Sequence, residues 1–304
     1  MNAARRVGSA VVLTLVMMLA AAAPAWAHAG GLSPTGVRSE ALAVTPQVPG
    51  LTIEVIDGGA RLRVGNGTGS PVQIPPGGGQ ADPVTVPAGA SFTWIDARST
   101  TLERDLGAAT AARWSVPMTV GTVPVTVSGV FVAEPPPAAL WWWAVTAGIG
   151  VAVFVAARLA RRPNVVLAVA GLVAVLASLV HVVGATLAVE SAPLLGTFLD
   201  ATGIGLLVWP LVAAAAVAAT RGSAAGVLGV CAGAGLSVVF ILPDVTVFHF
   251  AVLPFAGPAE FERFLVAVVL GAGSAAAVAG AGALRALAAR ERPHPAERES
   301  EISS

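Results

Sequence analysis

The chain opens with two arginines, Arg5 and Arg6, followed by an apolar stretch from about Val11 to Ala23, then Pro24 and Ala25-Trp26-Ala27. Basic, apolar and small residues in that order form an export signal, because about 13 to 15 apolar residues are too few for a span needing ~20. Cleavage after Ala27 would start the mature chain at His28. From His28 to about Pro137 the pattern changes to short apolar runs cut by Gly, Pro, Asn and Asp, which mark strands and turns. Leu51–Val55 and Ala60–Val64 alternate on either side of Asp57-Gly58-Gly59, which predicts a hairpin. Further strands are predicted at 83–87, 91–95, 112–120 and 123–132, with Val123, Val125 and Val127 sharing a buried face. Roughly six or seven strands in ~110 residues fit a small all-β, sandwich-like domain.

Beyond the stiff Pro135-Pro136-Pro137 the pattern becomes long apolar runs opened by Trp141-Trp142-Trp143, residues suited to a membrane interface. Spans are predicted near 140–158, 164–187, 200–219, 224–242 and 262–284, with Pro210 kinking the third. The expected fold class is a small all-β extracytoplasmic domain plus an α-helical transmembrane bundle of about five spans. The expected divisions are a signal peptide (1–27), the β domain (28–134), a Pro-rich linker (135–139), the bundle (140–287) and a disordered cytoplasmic tail (288–304). Arg158, Arg161, Arg162, Arg221 and the tail arginines fall on one side, whereas Glu190, Asp200, Asp244, Glu260 and Glu262 fall on the other with only Arg263. The positive-inside rule then puts the β domain outside and the carboxyl terminus in the cytoplasm.

Composition agrees: 56% of the 304 residues are hydrophobic and 11% charged, so lipid must serve as solvent for much of the chain. Seventeen arginines balance seventeen acids, which leaves no basic face for nucleic acid. Cys231 is alone in an apolar run, so no internal disulfide can form. No Walker loop, HExxH, CxxC, nucleophile elbow or dinucleotide fingerprint occurs, and the expectation is a protein that is not an enzyme. The expected partners are the lipid bilayer and an extracytoplasmic protein or metal ion.

Candidate chemistry lies in a few ionisable groups. His181 falls inside the second span, Asp200 opens the third, and Asp244 and His249 follow the fourth, so all four sit toward one level of the bundle. Imidazole and carboxylate at that depth suit a divalent metal or a proton relay; the plainer alternative is a histidine bonded to a neighbouring helix and acids facing water. The stretch Pro243–Pro254 is too apolar for a free loop and too proline-bounded to cross, and is expected to lie along the interface or re-enter the bundle. After cleavage, the amine, ring nitrogen and next amide at His28 form a set that chelates copper(II).

The run Val48–Val64, the later Val123–Gly129 and the five-span tail resemble an uncharacterised group of actinobacterial membrane proteins. That resemblance implies architecture rather than activity. Members carry a W-H-D-H-R-like stretch whose counterpart here is Trp94-Ile95-Asp96-Ala97-Arg98, with Ile95 and Ala97 where histidines would stand. The histidine start and the β-domain-plus-helices layout also resemble the copper-resistance proteins CopC and CopD, which implies copper as ligand. The expectation is an integral membrane protein of the cell envelope whose β domain binds a partner or metal. Copper handling and proton-coupled small-solute transport are the alternatives.

Overall fold

The computed structural model describes residues 29–76, 78 and 82–290, with side chains as far as residue 282. The expected signal peptide, His28 and residues 291–304 lie outside the described residues.

The amino-terminal region consists of eight antiparallel strands in two sheets. Strands β1 (Val37–Thr45), β8 (Val123–Ala133), β7 (Ala111–Val120), β4 (Val72–Ile74) and β5 (Val84–Val86) lie in that order in one sheet. Strands β2 (Leu51–Ile56), β3 (Arg61–Asn66) and β6 (Ser91–Trp94) form the other. Period-2 alternation builds a core shared between them: Leu62, Val64 and Trp94 from the smaller sheet meet Val72, Ile74, Val116, Met118, Val125 and Val127 from the larger. In the long β7–β8 hairpin Gly129 must lack a side chain, because a Cβ there would collide with the indole of Trp114.

The predicted hairpin is present, with Leu51 paired to Asn66 and Ile56 to Arg61. Val125 and Val127 are buried as expected, but Val123 is not: it opens β8 beside the turn and is 44% exposed. Two strands carried no sequence expectation. Strand β1 is a sheet edge with mostly exposed residues, so it shows little alternation, and β4 has only three residues.

The carboxyl-terminal part is helical: α1 (Ala139–Leu159), α2 (Pro163–Leu187), α3 (Leu194–Thr202), α4 (Gly205–Thr220), α5 (Ala224–Ile241) and α6 (Ala259–Arg290). Four stretches are long and apolar enough to cross a membrane, and α3 with α4 makes a fifth if that pair is one span. The helix expected at 200–219 is interrupted: α3 and α4 meet at 66°, and the break lies at Gly203 (φ +49), not at Pro210, which α4 accommodates. Helix α6 runs to Arg290, past the expected tail boundary at 288. Small residues let backbones approach; Gly150 faces the backbone of Gly271, and Gly280 faces Cys231.

In the Trp94–Arg98 stretch, Asp96 accepts from the Trp94 indole at 3.2 Å and from both Nε and Nη2 of Arg98 at 2.8 and 2.7 Å. The carboxylate organises a loop instead of pointing to a ligand. Burial pushes the Asp96 carboxyl up, but hydrogen bonds from the Arg98 side chain and backbone and from Trp94 outweigh that and hold it below its ordinary value. A depressed carboxyl stabilises the fold above its unfolded pKa and loses that contribution as pH falls through the folded one. Asp96→Asn should therefore cost about 2 kcal/mol at pH 7, and the gap from wild type should close only below about pH 4, read as Tm of the detergent-solubilised chain against pH.

Candidate functional site

An imidazole in an apolar bundle needs polar partners from other helices, and His181 on α2 has two. Its Nδ1 lies 2.5 Å from Glu262 Oε1 in the first turn of α6, and its Nε2 lies 3.4 Å from Asp244 Oδ2. All three are enclosed: His181 is 8% exposed, Asp244 4% and Glu262 3%. Glu262 Oε2 has no hydrogen-bond partner among the described residues. Each ring nitrogen thus faces a carboxylate oxygen, and Nε2 lies on the side of Asp244 and the adjoining cavity.

Asp244 is delivered by a 3₁₀ turn, Leu242–Phe248, that continues α5, and Val245, Val247, Phe248 and Leu253 of the stretch 243–254 pack on the bundle. Phe248 is fully buried, stacked on Trp142 and edge-on to Trp143. The neighbour of Glu262 holds the same segment: Arg263, only 3% exposed, donates to the carbonyls of Val247 at 3.0 Å and Phe250 at 2.8 Å. A flat guanidinium can satisfy several carbonyls that leave regular structure, which is what this turn requires. Farther along, Phe255 rests on Gly184, where any Cβ would strike the ring.

The site adjoins a cavity of about 540 Å³ lined by Ala29, Ser178, His181, Asp200, Trp209 and Asp244, among others. The expected grouping of His181 with Asp200 and Asp244 is thus present in part: Asp200 lines the cavity, but it is exposed. The expected role of His249 is corrected. Its side chain is exposed, it does not line the cavity, and its backbone N–H closes the 3₁₀ turn on Thr246. His28 lies outside the described residues, but Ala29, the first described residue, is 4% exposed and faces His181 and Asp244.

Sequence reasoning placed Glu262 among the acids of the loop ends. The missed signal is helical spacing: Glu262, Val266, Val269, Gly273 and Ala276 fall on one stripe of α6, and Val266, Val269 and Ala276 are completely buried.

The β domain covers this end of the bundle through a polar clamp. Asp57, at φ +55, is fully buried and accepts from Arg61 Nη1 at 2.5 Å and from the Glu190 backbone N–H at 2.7 Å. Arg61 also donates to Ser191 Oγ and Gly30 O, both at 3.1 Å, and Arg63 donates to Glu190 O at 2.7 Å. Thr35 and Val252 exchange two backbone hydrogen bonds of 2.9 Å. Ala29, Leu32, Ala60, Ala185 and Val189 form an apolar cluster across the joint. Gly30 (φ +64) has no room for a side chain against Val189.

Asp57→Ala removes the acceptor common to both partners and leaves a residue that tolerates positive φ poorly, so it should cost about 3 kcal/mol. The expected result is a lower Tm together with faster hydrogen exchange at Glu190; unchanged exchange there would separate the clamp from the joint. Comparison with protein-family models, with curated proteins and with solved structures found no match to this chain.

Proposed function

We propose that the chain is a multi-pass protein of the cell envelope, with a sandwich-like β domain on the extracytoplasmic end of a five-span bundle, that holds copper(II) at the joint between the two. The observation that carries this reading is that Ala29 lines the same cavity as His181 and Asp244, so a chain beginning at His28 would start one residue before the wall of that cavity.

The described donors fit one ion in part. His181 Nε2 and Asp244 Oδ2 are 3.4 Å apart, long for a charge-assisted hydrogen bond but close to the separation of two ligands each about 2 Å from a shared metal. Glu262 on Nδ1 supplies the carboxylate that commonly orients a metal-binding histidine from behind. Among the described residues no group of three His, Cys, Asp or Glu side chains forms a metal site, so the remaining donors would be the amine and ring of His28. Nitrogen-rich tetragonal sets with one carboxylate favour copper(II). The orientation is supported by acids gathered at the β-domain end and by Arg158, Arg161, Arg162 and Arg221 in turns at the opposite end. The function is then capture of the ion at the outer surface, with no catalytic step.

A second reading, proton-coupled transport of a small solute, draws on the 66° bend of α3 on α4, since Gly203 at the bend lines the cavity. Under that reading, solute flux in liposomes would require His181 but would not respond to an extra residue ahead of His28.

Full-length chain, purified in detergent and shown by amino-terminal sequencing to begin at His28, should bind one equivalent of copper(II) with a visible d–d band. His181→Ala, or one alanine added before His28, should weaken binding by roughly tenfold or more, and Glu262→Gln by about tenfold. No binding at micromolar copper, or equal binding by the extended chain, would overturn the proposal.

A further inference from the structure

A second candidate site, independent of the copper reading, runs along the helices to the opposite end of the bundle. Helices α1, α2 and α6 leave between them an open groove of about 540 Å³, within the range of ligand pockets, and every residue lining it is apolar. Ala152 and Ala156 on α1 follow helical spacing, as do Val165, Val169 and Val173 on α2; Val268 of α6 forms part of the floor. The α2 stripe alone runs about 12 Å along the helix at 1.5 Å per residue. Small side chains on α1 beside valines on α2 make a channel in which a straight hydrocarbon chain finds contact on several sides.

The groove reaches the end of the bundle at Ala156 and Val165, and between them lies the α1–α2 turn with Arg158, Arg161 and Arg162. All three arginines are exposed, and none has an acid within ion-pair distance among the described residues. Arg158 lies over the Phe154 ring at 4.8 Å, which anchors its stem along the helix. The described acids of the helical part, Glu190, Asp200, Asp244, Glu260 and Glu262, all belong to the β-domain end. Three uncompensated guanidiniums within five residues at the mouth of a hydrocarbon-lined groove match a molecule with an anionic head and an apolar tail.

We infer that this groove binds an anionic phospholipid, its phosphate on Arg158, Arg161 and Arg162 and one acyl chain along α1 and α2. Guanidinium suits phosphate because its planar donors can pair two oxygens at once. A zwitterionic lipid offers the same chain but brings a cation against three others.

The test is native mass spectrometry of full-length chain released from detergent containing equal amounts of phosphatidylglycerol and phosphatidylcholine. The expected result is one retained phosphatidylglycerol, preferred about tenfold or more. That preference should vanish in the R158Q/R161Q/R162Q triple variant. Ala152 is exposed, so Ala152→Trp fills the channel without entering the core and should lower retention with the arginines intact. Inorganic phosphate in excess should not displace the lipid. Equal retention of the two lipids, a triple variant that keeps its phosphatidylglycerol, an Ala152→Trp variant that binds like wild type, or displacement by inorganic phosphate would each overturn the inference. Copper binding should be unchanged in all these variants, so this inference and the copper reading can fail separately.

Discussion

Charge placed among hydrocarbon-facing helices has to be answered from within the protein, and most of what is particular to this chain follows from that constraint. Burying His181 alone would be costly; setting it between Glu262 and Asp244 gives each of the three expensive groups a partner. That solution requires α2, α6 and the segment after α5 to meet at one depth. It also accounts for the turn after Ile241: Asp244 packs beside His181, and carbonyls freed by the turn accept from Arg263.

The β domain obeys a related rule where it meets the helices. Its two sheets bury their own core without help from the helices, so its attachment to the bundle is a separate matter. The joint is small in apolar area and depends on Asp57, Arg61 and Arg63, each bonded to backbone or side chain of the α2–α3 connection. A carboxylate sealed between a guanidinium and a backbone amide is direction-specific, which fixes how the domain sits over the cavity. Beneath it, Ala29 and Gly30 are threaded between domain and bundle, touching both.

Hydrophobic pattern was enough to find most of the helices and most strands, because apolar patterning is a local property: α1, α2 and α5 lie within a residue or two of their expected limits. It failed where neighbours decide. Strand β1 is held by pairing along β8, not by any alternation of its own. The bend at Gly203 replaces a kink expected at Pro210, since a glycine at positive φ breaks the path whereas α4 tolerates its proline. His181 and Asp244 were legible as costly residues, but nothing local in the sequence named Glu262 as the partner of His181. The hydrophobic stripe below Glu262 held that information, and an acid at the head of a helix reads first as a solvated cap. His249 shows the converse error: proximity along the chain suggested a shared site, and the 3₁₀ turn sends the two side chains apart.

The pairing of Thr35 with Val252 has a consequence for biogenesis. A ribosome delivers the first partner long before the second, and five helical segments emerge between them. The two sheets can reach their final form as soon as β8 has been made, whereas the seam beneath them must wait until the chain has been extended through α5 to Val252. The order of synthesis therefore makes this seam a late contact between the β domain and the helices.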